Sequence, residues 1–426
     1  MNTFNNPPKD SWPQLCQRPQ LELEFLTSAV RNIMHRIKNA GDQALKELTL
    51  QFDKINLTEL EVSKKEVEDA EKKLSAELKF AIQVAAKNIE TFHNAQRRDT
   101  ISVETMPGVT CWRKAVPINK VGIYIPGGSA PLFSTVLMLG IPAQLAGCTE
   151  VILCSPPDKE GKVNEAILYA AKLVGVNKIF KVGGAQAIAA MAYGTKTIPQ
   201  VYKIFGPGNQ YVTRAKQMVS EEGVAIDMPA GPSEVLVMAD EQADPAFIAA
   251  DLLSQAEHGE DSQVMLVINE NVNMDAIQKE IEKQLSVLPR KDIAVKSLGN
   301  SRAVIFSNES TALEFVNEYA PEHLIVNTSN ADQVAEKVTN AGSVFLGGFT
   351  PEAAGDYASG TNHTLPTTGY ARAYAGVSLE SFLKYITFQR ITKEGIKALG
   401  PVVETMATAE QLEGHRLAVS VRLKSL

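Results

Sequence analysis

Two series of short β-branched runs alternate with helical stretches through the middle of this chain, and that alternation leaves few folds open. The first series is Val121–Ile125, Val151–Cys154, Lys178–Val182 and Lys203–Phe205. The second is Glu234–Met238, Gln263–Ile268, Ala303–Phe306, His323–Val326 and Ser343–Leu346. Most runs end in Gly or Pro before an apolar-periodic stretch, the pattern of βα units around a parallel sheet. They are too many for one open sheet, so an α/β chain with two parallel-sheet domains is predicted. Residues 1–22 are polar and proline-bearing and read as an arm. Residues 23–120, helical and charged at first, are assigned with 235–377 to a discontinuous first domain, and 121–234 to the second. Val30, Ile33, Ile37, Ala44, Leu45 and Leu48 form the apolar stripe of the early helical part, and Asp42 after Gly41 is a plausible helix start. Residues 378–426 read as a helical tail without strands.

At 426 residues the chain exceeds the size of a single core. A net charge of −7 with dispersed Lys and Arg argues against nucleic acid or an anionic membrane as partner. The first twelve residues contain no apolar stretch that could act as a signal peptide, and Val136–Leu145 is too short to span a bilayer. The four cysteines show neither C-x-x-C spacing nor the density of a disulfide scaffold. A cytoplasmic protein with reduced thiols is expected.

Four of the six histidines lie beside oxygen-bearing side chains. They occur in Gln255-Ala-Glu-His258, Glu322-His323, Asp356 to His363 and Glu410 to His415. Neutral imidazole near carboxylates suits both metal binding and proton transfer at neutral pH. Asp244-Pro245 opens a helix as N-cap and first residue, and Gln255 and His258 then share a face near its end. His258 serves equally well as a cation at a helix C-terminus. Glu322 and His323 follow a helical stretch closed by Pro321; as neighbours they must flank a site from a turn and divide the work, or else form a solvated turn. Residues 347–367 form a long loop dense in Gly, Asp, Asn, His and Thr, which suggests backbone shaped around a ligand.

Three glycine-rich turns, Pro126–Pro131, Val182–Gln186 and Phe205–Asn209, each follow a strand and precede a helix, where a phosphate could bind. None is G-x-G-x-x-G, so on motif grounds alone a nicotinamide cofactor has weak support and tight αβ turns are the default reading.

With these segments in view, the chain resembles the histidinol dehydrogenase family over nearly its whole length. The resemblance is carried by Val121–Ser134, Val182–Ala190, Gly206–Asn209, Asp227–Val235, Asp251–Gly259, Ala320–Leu324, Gly355–His363 and Glu410–His415. It implies two Rossmann-like, incomplete dinucleotide-fold domains and a helical dimerisation tail. It also implies two NAD-dependent oxidations of L-histidinol, through L-histidinaldehyde to L-histidine, the last step of histidine biosynthesis. One zinc per site would be held by Gln255, His258, Asp356 and His415. Substrate contacts would come from these four with Ser233, His323 and Glu410, and NAD contacts from Tyr124, Gln186 and Asn209. The site would be shared in a homodimer, with Glu410 and His415 supplied by the partner. On this reading His323 is the general base and Glu322 activates the water that adds to the aldehyde. The resemblance assigns His363 no role. Three other readings stand beside it: a cysteine thiohemiacetal enzyme using Cys111 or Cys148, a zinc hydrolase, and a two-lobed binding protein.

Overall fold

The computed structural model describes residues 1–19, 23–127 and 131–426, so the turn expected at Pro126–Pro131 lies partly outside the described residues. Strand β1 (Asn2–Asn5) opens the chain. After the helices Leu23–Phe52, Lys64–Lys73 and Ala76–Asn94 comes a hairpin, β2 (Ile101–Met106) and β3 (Val109–Pro117). The first predicted series appears as β4 (Lys120–Tyr124), β5 (Glu150–Cys154), β6 (Lys178–Phe180) and β7 (Lys203–Phe205), extended by a short β8 (Ala225–Ile226). The second appears as β9 (Glu234–Ala239), β10 (Gln263–Asn269), β11 (Arg302–Phe306), β12 (His323–Asn327) and β13 (Ser343–Leu346). Strand β14 (Leu383–Ile391) precedes the helices Lys393–Ala409 and Glu413–Leu423.

These strands form two parallel sheets, β6-β5-β4-β7-β8 and β1-β11-β10-β9-β12-β13. In each βα series the spatial order is third, second, first, fourth, fifth, as in doubly wound folds. The order reverses between β4 and β7, and again between β9 and β12. Both faces of such sheets are covered, which explains the continuous apolar runs. In β9, Val235 and Val237 point into one core and Leu236 and Met238 into the opposite one. The helix Phe133–Ala146 is buried continuously from Ser134 to Ala143, so it shows no polar face. Among the described residues no helix is long and apolar enough to cross a membrane.

Four expectations require correction. Residues 1–22 are not a free arm: β1 pairs in parallel with β11, and Trp12 and Leu15 are buried in the core beneath it. Trp12 meets Phe306 and Phe315 edge-on at centroid distances of 6.0 and 5.4 Å. The strand was hidden because Asn2–Asn5 joins through its backbone and leaves mostly exposed side chains. The helix Leu23–Phe52, broken at Gly41 (φ 50°), packs Val30, Ile37, Leu45 and Leu48 into the core on the side of the five-stranded sheet, chiefly against the helices Gly184–Tyr193 and Gln210–Glu221, and not into that of the six-stranded one. Residues beyond 378 are not all helical, because β14 pairs antiparallel with β3 along its nine residues, with β2 on the other side. The loop 347–367 contains a short helix, Glu352–Tyr357.

Trp12 supplies the sharpest check on the N-terminal segment. Trp12→Ala is expected to cost about 3 kcal/mol, typical of a buried aromatic truncation. Denaturant unfolding measures this, and a loss below about 1 kcal/mol would mean the segment is not part of the core.

Candidate active site

The predicted polar residues from β9, β12, the end of the helix Pro245–Ala256 and the helix Glu352–Tyr357 meet at the N-terminal ends of β9 and β12. Asp244 caps Pro245–Ala256 as expected, its Oδ1 accepting from the Ala246 N–H at 2.8 Å. Gln255 lies in the last turn, and His258 lies just beyond, its N–H donating to the Gln255 carbonyl at 3.2 Å. Glu352 and Asp356 stand one turn apart on their helix and so share a face. Ser233 immediately precedes β9, and its carbonyl accepts from the Gln263 N–H at 3.3 Å.

Glu322 and His323 hang from one residue. The Glu234 N–H donates to Glu322 Oε2 at 2.9 Å, and His323 Nδ1 lies 3.2 Å from the Glu234 carbonyl. A carbonyl only accepts, so Nδ1 carries the proton and Nε2 is the atom left to work. Both side chains are buried, Glu322 in the turn and His323 as the first residue of β12. This is the arrangement expected of neighbours that divide one task.

Burial pushes the Glu322 carboxyl up to about 8. Burial would hold His323 neutral, but Glu322, Glu352 and Asp356 around it outweigh that and raise it well above the usual imidazole range. Burial raises Glu352, with Asp356, Glu322 and Asp251 adding to the shift against His323. For Asp356 burial is opposed and overcome by the charge of His323, which keeps it below the usual carboxylate range.

The cluster suits a cation. Three acidic side chains, Glu322, Glu352 and Asp356, surround His323, with His258 beside the last two, and a divalent ion would offset their negative charge. His323 Nε2 and Asp356 Oδ1 are 3.3 Å apart but not aligned for a hydrogen bond, and both stay buried without a partner. Donor atoms of His258, Glu352 and Asp356 lie within 4.8 Å of one another. The Gln255 amide abuts the Glu352 carboxyl; turned with its nitrogen toward an ionised Glu352 it would donate to both carboxylate oxygens and leave its own oxygen for a cation. Residues present therefore fit a divalent ion with nitrogen and oxygen ligands. Glu352 is a site residue that sequence reasoning missed: after Pro351 it reads as an ordinary acidic first-turn residue.

His363 joins the cluster through its frame. Its Nδ1 lies 2.8 Å from the Asp356 carbonyl and its Nε2 lies 2.9 Å from Thr135 Oγ1, on the helix that follows β4. Glu410 and His415 are exposed on the C-terminal helices, and no side-chain hydrogen bond or ion pair joins either to the cluster within the described residues.

Tyr124, Gln186 and Asn209 instead line a separate cavity of about 1190 Å³ at the C-terminal end of the five-stranded sheet. The Gly184 N–H donates to the Tyr124 hydroxyl oxygen at 3.0 Å, and burial pushes this phenol up to about 12. Asn209 caps the helix Gln210–Glu221 through Val212. Gly206, at φ 130°, admits no Cβ because the Tyr124 carbonyl occupies that space. The cavity's rim at Pro131 leads into the helix whose Thr135 meets His363, so β4 and its helix connect cavity and cluster.

The cysteine reading finds no support in this geometry. Burial pushes Cys16 and Cys148 up to about 11 and raises Cys154 as well, which suppresses thiolate formation. Cys111 lies in β3, paired across from Gln389 of β14.

Comparison with known proteins agrees with the site. A histidinol dehydrogenase family profile matches residues 16–423. The chain is 60% identical over 426 residues to a histidinol dehydrogenase of Bacteroides fragilis, each chain covered completely. It is 51% identical over 416 residues to that of Escherichia coli, covering 97% of this chain and 95% of the relative. The crystal structure of histidinol dehydrogenase from Elizabethkingia anophelis superposes with a TM-score of 0.96 at 57% identity, covering 100% of this chain and 98% of that one. The chain belongs to the histidinol dehydrogenase family and is an enzyme of that type.

Proposed function

We propose that this enzyme oxidises L-histidinol to L-histidine in two NAD-dependent steps through L-histidinaldehyde, at a zinc site shared between two subunits of a homodimer. The observation that carries the reading is the pair Glu322–His323 held on the Glu234 backbone, with His323 Nε2 buried, unpartnered and beside Asp356.

Gln255 Oε1, His258 and Asp356 would hold zinc together with His415 of the partner subunit. When bound, zinc would template the substrate by taking its imidazole and amino nitrogens. Tyr124, Gln186 and Asn209 would orient NAD, which accepts the hydride in each step. In its neutral form, which a cation held beside Asp356 and His258 would favour against the raising effect of the carboxylates, His323 Nε2 removes the proton from the alcohol oxygen as hydride leaves its carbon. Glu322, whose Oε2 is engaged by the Glu234 N–H, takes a proton from the water that adds to the aldehyde once it is ionised, which burial postpones to about pH 8. His323 then removes the hydroxyl proton of the resulting hydrate as the second hydride leaves. Ser233 and the partner subunit's Glu410 would hold the substrate's polar groups.

The shared site is supported by the C-terminal segment itself. The helix Glu413–Leu423 buries only Ser420, and Val402, Met406, Leu417 and Val421 are 45–60% exposed. Such an apolar surface on two projecting helices suits a second copy of the chain.

The direct test is histidinol-dependent NADH formation, with and without a chelator. Activity that needs histidinol and NAD and falls on chelation supports the reading; turnover without NAD would point to a hydrolase. Glu322→Gln is expected to slow oxidation of the aldehyde at least about tenfold more than oxidation of the alcohol. His323→Ala should slow both by about 100-fold or more. Stopped-flow comparison of the half-reactions checks both, and equal losses in Glu322→Gln would contradict the division of roles.

His258→Asn and His415→Asn should each be nearly inactive. Mixed under conditions that exchange subunits, they should regain a fraction of wild-type activity, because a hybrid dimer rebuilds one intact site. No recovery after demonstrated exchange would mean that His415 acts within its own chain.

A further inference from the structure

Lys216 and Asp227 form a buried ion pair that the proposed reaction does not use. Lys216 lies two turns into the helix Gln210–Glu221 and Asp227 directly follows β8; their side chains are 3% and 0% exposed. Both reach the same glycine. The Gly206 N–H donates to Asp227 Oδ2 at 2.8 Å, and Lys216 Nζ donates to the Gly206 carbonyl at 2.8 Å while pairing with Asp227 Oδ1. The three residues close a ring in which the anion holds the glycine's donor and the cation holds its acceptor.

We propose that Lys216 and Asp227 are positioning residues for the dinucleotide, fixing the turn Gly206-Pro207-Gly208-Asn209 on the wall of the large cavity. The inference rests on the reading above that places NAD there. Gly206 lies just beyond the end of β7, where the strand order reverses against β4, so its peptide groups fall outside the sheet's own pairing. Buried as they are, they need partners from elsewhere. Neutral groups could serve as well. A buried ion pair contributes little net stability compared with apolar side chains of the same shape, so its use here points to position.

What the ring positions is the pair of residues at the two ends of the turn. Gly206 is pressed against the Tyr124 carbonyl, and Asn209 begins the helix that carries Lys216. Asn209 Oδ1 accepts from the Val212 N–H at 3.1 Å, which leaves its NH2 group for a ligand in the cavity that it lines. The anchor is itself well tied. The Asp227 N–H donates to the Ile204 carbonyl of β7 at 3.0 Å, and the Met228 N–H donates to Asp227 Oδ1 at 2.8 Å. Lys203 also lies near Asp227 but donates to the Ser381 carbonyl at 2.8 Å, so it does not replace Lys216 at Gly206.

The test separates position from folding by comparing Lys216→Met, Asp227→Asn and the double variant with wild type, all as full-length enzyme. NAD affinity is measured by calorimetry, folding by Tm, and kcat with the KM of each substrate by NADH formation. Each single variant leaves one buried charge unpaired and should lose both Tm and NAD affinity. The double variant leaves none, so it should recover most of the Tm. It still lacks a donor for the Gly206 carbonyl, so it should bind NAD about tenfold more weakly, the scale of one lost hydrogen bond. Its KM for histidinol and its zinc content should match wild type. A double variant that recovers NAD affinity along with Tm would make the pair a folding element and overturn the proposal, as would an equal rise in both KM values. Should the double variant not fold, Lys216→Arg and Asp227→Glu replace it. Each keeps both charges and shifts one end of the ring, and wild-type NAD affinity in both overturns the proposal. Wild type that binds no NAD, or Asn209→Ala that binds it as wild type does, overturns the placing of NAD in this cavity and this inference with it. NAD binding that depends on Asn209 but not on the ion pair overturns only the role of Lys216 and Asp227.

Discussion

The chemistry of this protein depends on where Glu234 is held. Its backbone N–H and carbonyl position Glu322 and His323, and its side chain, 1% exposed, is fixed from two other parts of the chain. Arg18 Nε donates to Glu234 Oε2 at 2.7 Å, and the Thr368 N–H donates to Oε1. Arg18 also donates to the Tyr319 carbonyl at 2.7 Å and stacks over the Tyr319 ring at 3.6 Å. The Tyr319 hydroxyl in turn donates to Gln263 Oε1 at 2.9 Å. Removing one member of a buried ion pair costs about 3–5 kcal/mol, because the other charge is left in low dielectric. Such a pair is a poor source of net stability but a strong way to enforce position. The N-terminal segment, which looks dispensable as sequence, thus reaches the proposed catalytic pair, Glu322 and His323, through the side chain of Arg18.

The two sheets share a strand order and use opposite edges. In the five-stranded sheet the crevice at the C-terminal edge, between β4 and β7, opens into the large cavity, as doubly wound folds generally do. In the six-stranded sheet the corresponding edge carries a pocket of about 260 Å³, lined by Asp240, Glu270 and Glu309 among others. Those carboxylates repel phosphate, so this second unit is unsuited to a nucleotide. Its working residues gather instead at the N-terminal ends of β9 and β12, where the βα loops do not crowd and the turn at Glu322 brings two neighbouring side chains into one pocket.

What could be read from the sequence follows from how each element is buried. Strands β4–β7 and β9–β13 are covered on both faces, so their apolar runs stand out. Strand β14 alternates Lys384, Ile386, Phe388 and Arg390 against residues on the other face and is largely exposed, so neither a continuous run nor a clean alternation marks it. Strand β1 is joined mainly by its backbone, with Phe4 alone of its four side chains partly buried against the core. Gln255 and His258 were legible as a pair because three-residue spacing near a helix end determines a shared face. Glu352 was not, because its burial depends on the six-stranded sheet and on Gln255, both distant in sequence. Arg18 escaped for the same reason: one arginine in a polar segment has no pattern to distinguish it.

On the proposed reading, the C-terminal segment lends a ligand to a second copy, and its loose attachment to its own chain suits that role. The helices Lys393–Ala409 and Glu413–Leu423 pack chiefly on each other, Gly400 admitting Leu423, and they meet the body mainly where Gly395 rests on the Gly108 turn of the β2–β3 hairpin. Strand β14 makes that hairpin a three-stranded stalk. A tail packed firmly against its own chain would bury Val402, Met406, Leu417 and Val421 at home and hold His415 there too. Leaving them exposed makes the monomer incomplete, so that on the proposed reading the same apolar contact that joins two copies also delivers the last ligand. Assembly and metal binding are then one equilibrium: each zinc bound favours the dimer, and each dimer formed raises the affinity for zinc.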